Sequence, residues 1–252
     1  MADLPAPVDP LTDPTSLVTP DTAFAPALWP PRAWPLPSRE ALWTALGLVL
    51  LLEIVKDLAK IVAPAATVLY TVAAVAQLYY PLWRVGRLGL DGRAVGLDES
   101  RWRQDLSWAL ALCAITFVPF AIGHHYFWTA VFHLHFEFHW PPRIANVVLT
   151  HFLGVALPEE VFYRGFVQPW LKPAFARRWR IFGADCGLEI PLTAAIFALG
   201  HFAGEYDPLR LGPFFPGLLF GWLRARTGTV YGAVTYHAIS NILSEFLFAC
   251  YR

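Results

Sequence analysis

Apolar residues dominate the chain from residue 41 onward, in long windows separated by short loops that are basic or rich in proline and glycine. The windows show no alternation of apolar and polar residues, so they predict helices rather than strands. A helix needs roughly 20 residues to cross the hydrocarbon core of a bilayer, and most of the windows approach that length. The predicted spans are approximately 41–62, 64–83, 104–123, 144–169, 188–204, 211–226 and 229–250.

The fold class that this pattern predicts is all-α, a polytopic transmembrane bundle of about seven to eight helices. The eighth element would be the stretch 125–140, which is aromatic and rich in histidine and is expected to lie in the interface or to re-enter the bilayer. The first span carries Glu53, Lys56, Asp57 and Lys60. We expect these charges to face the bundle, the alternative being that the second half of this helix lies along the membrane surface.

The composition divides the chain into two regions. Residues 1–39 contain ten of the 22 prolines and no sustained apolar run, which predicts a flexible, proline-rich arm. Residues 40–252 are expected to form the transmembrane domain. Four of its glycines are expected at close contacts between helices, namely Gly165, Gly200, Gly217 and Gly221.

The basic residues of the loops predict the orientation in the membrane. The loops 84–103 and 170–187 are rich in arginine and lysine, and Arg224 and Arg226 end the sixth span. All three clusters fall on one side if the seven spans alternate, and short basic loops are typical of the cytoplasmic side. The predicted location is therefore a multi-pass position in a bacterial inner membrane, with the N-terminus in the cytoplasm.

The overall composition narrows the range of partners. Hydrophobic residues make up 56 % of the chain and charged residues 15 %, which is typical of a membrane protein rather than of a soluble domain. Lys and Arg together number 19, as do Asp and Glu, so no surplus of positive charge is available for a phosphate backbone. Nucleic acid is therefore not an expected partner.

Three charges within the span 144–169 are candidates for function, because an ionisable group inside a membrane is costly. Glu160 and Arg164 are four residues apart and are expected to pair on one face of the helix. Glu159 lies about 100° round the helix and is left without that partner. A carboxylate in an apolar pocket can act as a general base near neutral pH. The alternative is a salt-bridge network that only orders the bundle.

Two later spans contribute further polar groups. His201 lies in an otherwise apolar window, and a histidine in such a helix, taken alone, is more often a packing residue than a catalyst. His237 and Asn241 are four residues apart on one helical face, where two side chains can together stabilise an oxyanion. The alternative for this pair is a polar contact between membrane helices.

These motifs resemble those of the CAAX prenyl protease and bacteriocin-processing (CPBP) family, the glutamic-type intramembrane proteases also called the Abi family. The resemblance lies in E-E-x-x-x-R beginning at Glu159, in F-x-x-x-H ending at His201, and in H-x-x-x-N at His237 and Asn241, in the same order and spacing. It implies a helical membrane bundle with a peptidase site in an inner cavity. The implied substrate is a protein or peptide whose C-terminal region is lipidated or embedded in the membrane.

The resemblance also implies a role for each residue. Glu159 would activate the attacking water together with His201, while His237 and Asn241 would stabilise the tetrahedral oxyanion. The neighbouring ion pair would support these four groups. No cofactor and no metal ion is expected.

Three alternatives remain at this point. Two His and one or two Glu residues could bind zinc, although the sequence has no H-E-x-x-H motif. A non-catalytic scaffold or immunity protein could keep the same fold and bind a partner. A transporter could use the intramembrane Glu and His as a proton relay, although the chain shows no matching halves.

Overall fold

The computed structural model describes residues 38–140, 143–203 and 205–252. All but the last two residues of the predicted arm at 1–39 lie outside the described residues. The described residues form a predominantly helical structure, so the all-α class is confirmed. Seven helices lie within these residues: α1 (Ser38–Ile61), α2 (Ala66–Gly86), α3 (Trp102–Tyr126), α4 (Ile144–Ala174), α5 (Glu189–Phe202), α6 (Phe214–Thr227) and α7 (Tyr231–Ala249).

Each predicted span coincides with one of these helices, but their lengths differ from the prediction. Among the described residues, Glu99–Val131 and Ile144–Ala174 are long and apolar enough to cross a membrane. Helices α5 and α6 have 14 residues each, about 21 Å at 1.5 Å per residue, which is shorter than the hydrocarbon core. Helix α5 ends at Phe202 and α6 begins at Phe214, slightly inside the approximate spans, because polar residues and Pro213 separate the two helices.

The stretch 125–140 is not an eighth helix. Its first part continues α3 through a wide turn at Phe127–Val131, and the rest is extended. Phe136 pairs with Tyr251 as an isolated antiparallel bridge, and the backbone N–H of Glu137 donates to the carbonyl of Cys250 at 2.7 Å. The extended part therefore lies against the C-terminal end of α7.

Helix α4 is the centre of the bundle. Every residue from 161 to 171 is buried, and the helix packs against α1, α2, α5, α6 and α7. Two wide π-helical stretches, Thr150–Ala156 and Val161–Val167, lie on either side of the two glutamates. Each stretch ends two residues before a proline, Pro158 or Pro169, which has no N–H for the ordinary helical hydrogen bond.

The predicted glycine contacts are confirmed. A Cβ on Gly165 would lie 2.4 Å from the carbonyl oxygen of Val95, and one on Gly221 would lie 2.8 Å from a methyl group of Ile190. A Cβ on Gly200 or on Gly217 would meet its nearest neighbour at 3.2 Å. These glycines let the neighbouring segments approach closely enough to bury the middle of α4.

A short β-hairpin connects α4 to α5. Strands β1 (Trp179–Ile181) and β2 (Ala184–Cys186) are antiparallel, with Trp179 opposite Cys186 and Ile181 opposite Ala184. The buried side of β2 packs with Ile190 against α6, and the indole N–H of Trp222 donates to the carbonyl of Ile181 at 2.9 Å. The hairpin is thus fixed to the end of the bundle where α4 and α6 end and α5 begins.

Candidate active site

A buried ion pair on α4 forms the base of the candidate site. Nη1 of Arg164 lies 3.0 Å from Oε1 of Glu160, and both side chains are fully buried. The predicted pairing at four-residue spacing is therefore confirmed. The second nitrogen, Nη2 of Arg164, donates to the carbonyl of Gly217 in α6 at 3.2 Å, which ties α4 to α6.

His237 on α7 lies between the two glutamates. Its Nδ1 is 2.8 Å from Oε1 of Glu160, and its Nε2 is 3.8 Å from Oε2 of Glu159. A carboxylate oxygen that already accepts from Arg164 is an acceptor, so Nδ1 of His237 carries the hydrogen of this bond. Nε2 is then the nitrogen directed toward Glu159, and it is the one that can exchange hydrogen bonds with a reacting group.

Glu159 differs from Glu160 in its surroundings. Its side chain is 20 % exposed, whereas that of Glu160 is fully buried. Oε2 of Glu159 is itself buried and accepts no hydrogen bond from the described protein groups. The prediction that Arg164 pairs with one carboxylate and leaves the other without that partner agrees with this difference.

Aromatic rings hold the basic groups of the site in place. The ring of Phe220 stacks on the imidazole of His237, with centroids 4.6 Å apart and planes inclined by 16°. The guanidinium carbon of Arg164 lies 4.5 Å from the ring centroid of Phe197 and 4.9 Å from that of Phe220. These cation–π contacts stabilise a charge that water does not reach. Neither phenylalanine is among the predicted site residues.

His201 reaches the same cluster through Phe197. The imidazole centroid of His201 is 4.5 Å from the ring of Phe197, and that of His237 is 5.8 Å from the same ring. Nδ1 of His201 lies 3.0 Å from the carbonyl oxygen of Phe197. A carbonyl oxygen only accepts, so Nδ1 of His201 donates and Nε2 is left as the acceptor of a neutral imidazole.

Asn241 lies one turn beyond His237 on α7 and is half-buried. Among the described residues its side chain makes no hydrogen bond to the other predicted site residues. Its placement on the face of His237 is set by the spacing of the helix alone.

Lys56 and Arg224 are not among the predicted site residues, but both bond the backbone of site residues. Nζ of Lys56 on α1 donates to the carbonyls of Gly200 and His201 at 3.0 and 2.9 Å, and its side chain is 14 % exposed. Nε of Arg224 on α6 donates to the carbonyl of Arg164 at 3.0 Å. The only signal for both in the sequence was a basic residue within an apolar window.

The described residues were compared with the ligand grouping that a metal site requires. Among them, no three His, Cys, Asp or Glu side chains are grouped so that they could hold a metal ion. The zinc alternative therefore lacks a ligand set within this part of the chain.

The arrangement suits hydrolytic chemistry. Two carboxylates, a guanidinium and two imidazoles come from three helices that are distant in sequence, and they differ in exposure and in hydrogen bonding. Hydrolysis of an acyl bond requires a base for water and donors for the developing negative charge, and both kinds of group are present. The described residues form a helical bundle that brings acidic and basic side chains together at one buried place.

Comparison with protein families supports the same class. Residues 140–243 match the family model described as "Type II CAAX prenyl endopeptidase Rce1-like", which confirms the resemblance predicted from the sequence. The match includes all six predicted site residues and ends two residues after Asn241. The matched region is thus similar, at the level of the family, to CAAX-type proteases, which are hydrolases. A comparison with curated proteins gave no match, and neither did a comparison with solved structures.

Proposed function

We propose that the chain is an integral, multi-pass membrane endopeptidase of the glutamic type. It would hydrolyse a peptide bond in a protein whose C-terminal region is lipidated or embedded in the membrane, with a water molecule activated by Glu159. The observation that carries the proposal is the carboxylate of Glu159, partly exposed and 3.8 Å from Nε2 of His237, beside a second carboxylate already neutralised by Arg164.

In the proposed mechanism Glu159 takes a proton from water as the water oxygen attacks the carbonyl carbon of the scissile bond. Nε2 of His201 accepts a hydrogen bond from the second O–H of that water and so orients the water. The tetrahedral oxyanion then accepts hydrogen bonds from the amide of Asn241 and from Nε2 of His237, whose ring enters and leaves the reaction with a hydrogen on each nitrogen. When the C–N bond breaks, the proton on Glu159 passes to the leaving amine nitrogen.

The proposal places the chain in a membrane because of the surfaces of its helices. In the most apolar 18-residue window of Glu99–Val131, only 6 % of the window is buried inside the structure. An apolar surface of this extent needs a cover, and lipid provides one for a polytopic bundle. The basic end of the bundle, with the β-hairpin and the last turn of α6, would face the cytoplasm.

The test of the proposal uses a prenylated CAAX peptide that carries a fluorophore and a quencher, together with the full chain in proteoliposomes. Glu159→Gln keeps the size and hydrogen bonding of the side chain but removes the base. We expect cleavage to fall about 10²- to 10⁴-fold, which is the range for loss of general-base catalysis, with an unchanged melting temperature. Glu137→Gln, which changes an exposed carboxylate away from the site, should leave cleavage unchanged.

Other outcomes of the same assay would count against the proposal. Full cleavage by Glu159→Gln would contradict a glutamate base. Loss of cleavage with 1,10-phenanthroline, restored by zinc, would favour a zinc-dependent protease instead. Absence of cleavage by the wild-type chain on prenylated peptides and on membrane-anchored precursors alike would favour a non-catalytic scaffold or immunity protein.

A further inference from the structure

The turn of the β-hairpin exposes a large apolar side chain in a strained conformation. Phe182 is 85 % exposed and has a φ of 46°, and the next residue, Gly183, has a φ of 80°. Two consecutive positive φ values define a type I′ turn, in which asparagine or glycine is favoured at the first position. A phenylalanine there is costly in conformation and in exposed apolar area, which indicates a use for the side chain.

The hairpin is held rigidly, so the exposure of Phe182 is a fixed feature. The guanidinium of Arg178 bonds Asp185 at 3.0 Å and Glu189 at 2.7 Å, and Nζ of Lys172 bonds the other oxygen of Asp185 at 2.7 Å. Burial acts to raise the pKa of Asp185, but hydrogen bonds from Arg178 and Lys172 outweigh it and hold the pKa below its ordinary value. Asp185 and Glu189 are the two acidic residues between 175 and 189, and both are therefore already paired with basic side chains.

Basic residues therefore remain in excess around the turn. In the described part of the chain, Arg177, Arg180 and Arg226 have no acidic partner, and the first two are exposed. The guanidinium of Arg177 lies over the ring of Trp179 at 5.1 Å, and that of Arg226 lies over the ring of Trp108 at 5.0 Å. Tryptophan and arginine side by side are typical of the boundary between a membrane and water.

We propose that the turn of the hairpin, formed by Trp179, Ile181 and Phe182 with Arg177, Arg180 and Arg226, binds anionic phospholipid headgroups at the membrane surface. The apolar side chains lie among the headgroups and upper acyl carbons, while the three arginines bind the phosphates. The charge of this surface is complementary to an anionic leaflet, and the rigid base of the hairpin avoids the entropy cost of ordering a loop. The proposal rests on the membrane insertion proposed above but not on peptide cleavage.

The hairpin also connects the two helices that carry Glu159 and His201. Its base joins the end of α4 to the start of α5, and β2 packs on α6. A lipid contact at this place would fix the ends of both helices against the bilayer.

The experiment places a fluorescent probe at the turn in the full chain in lipid nanodiscs. Phe182→Cys in a Cys113→Ser background is labelled with bimane, since the other two cysteines are buried. The nanodiscs contain the same mole fraction of either brominated phosphatidylglycerol or brominated phosphatidylcholine. We expect brominated lipid to quench the probe, at least twofold more strongly with phosphatidylglycerol, and we expect 0.5 M salt to reduce this excess.

A matched pair of variants assigns the excess to the hairpin. Arg177→Gln with Arg180→Gln should abolish it, whereas Arg143→Gln, which removes an exposed arginine at the start of α4, should leave it intact. Equal quenching by the two lipids would overturn the assignment of anionic headgroups. A probe quenched by aqueous iodide and not by either lipid would place the turn in water and overturn the whole proposal. If alkaline carbonate extracts the unlabelled chain from liposomes, the membrane insertion itself is wrong and this proposal falls with it.

Discussion

His237 on α7 and Glu160 on α4, which are 77 residues apart in sequence, form a hydrogen bond of 2.8 Å. The accepting oxygen, Oε1 of Glu160, is the same atom that pairs with Arg164 at 3.0 Å. One buried carboxylate oxygen therefore orients the imidazole and neutralises the guanidinium. Removal of Glu160 would leave both donors without this acceptor, and removal of Arg164 would leave a buried carboxylate without its cation.

Replacement of Arg164 by alanine should destabilise the protein strongly. Glu160 would then be a buried carboxylate without a cation, and breaking a buried ion pair from one side costs about 3–5 kcal/mol. We expect a lower melting temperature and a lower yield of the purified protein in detergent. Arg177→Ala, which removes an exposed arginine, is the control and should change neither. The double variant Arg164→Ala with Glu160→Gln should recover part of the loss, and a single variant with wild-type stability would contradict the pairing.

The sequence predicted those parts of the site that depend on local geometry. Glu160 and Arg164 are one helical turn apart, so their pairing follows from the period of a helix alone. The bond between Glu160 and His237 could not be predicted in this way, because it depends on how α4 and α7 pack. The partners of Lys56 are backbone carbonyls, which no side-chain motif indicates.

The fold shows the same division between local and non-local information. Apolar windows predicted all seven helices, since burial in protein or lipid requires apolar residues throughout. The β-hairpin at residues 179–186 was predicted only as part of a basic loop. Its strands have three residues each, too few for an alternating pattern, and only the contacts with α6 make them stable.

Lys56 should position His201 without touching the substrate. Its ammonium group bonds the last carbonyls of α5 and fixes the end of the helix that carries the imidazole. Because a displacement of about 1 Å in a catalytic group can cost about 10²-fold in rate, we expect Lys56→Met to lower kcat by at least tenfold with little change in KM. The measurement is the cleavage of the prenylated CAAX peptide in proteoliposomes.

The control for Lys56 lies one turn further along α1. Lys60→Met removes a mostly exposed lysine that pairs with Asp57, and it should leave kcat unchanged. Lys56→Arg should restore part of the activity, because arginine can donate to the same carbonyls. Equal kcat in Lys56→Met and in the wild type would show that the end of α5 does not need this cation.

Gly165 should not tolerate even a methyl group. A Cβ at this position would lie 2.4 Å from the backbone carbonyl of Val95, so the loop or α4 would have to move. Overpacking of this kind costs about 1–3 kcal/mol. Gly154→Ala on the same helix is the matched control, since its Cβ would meet nothing closer than 3.9 Å and alanine favours a helix. In thermal unfolding, the melting temperature of Gly165→Ala should therefore fall and that of Gly154→Ala should rise. An equal shift in the two melting temperatures would contradict the close contact at Gly165.

Acid should loosen the β-hairpin through Asp185. Because the hydrogen bonds from Arg178 and Lys172 hold the pKa of this carboxyl below its ordinary value of 3.8, the folded state binds the proton less readily than the unfolded state. The resulting stabilisation is complete above pH 3.8 and is lost as the pH falls through the lower, folded pKa. The effect is small because Asp185 is largely exposed, so it should be measured locally, as amide hydrogen exchange of residues 179–186.

Asp185→Asn provides the comparison at each pH, which removes the intrinsic dependence of exchange on pH. The wild-type hairpin should be better protected than the variant at pH 5, and the two should converge as the pH is lowered below 3.8. Asp98→Asn changes a carboxyl whose pKa is also lowered, by hydrogen bonding to the backbone N–H of Ser100 in a different loop, and it should not affect the hairpin. A difference between the wild type and Asp185→Asn that persists unchanged at low pH would mean that packing against α6, and not the ion pairs, holds the hairpin in place.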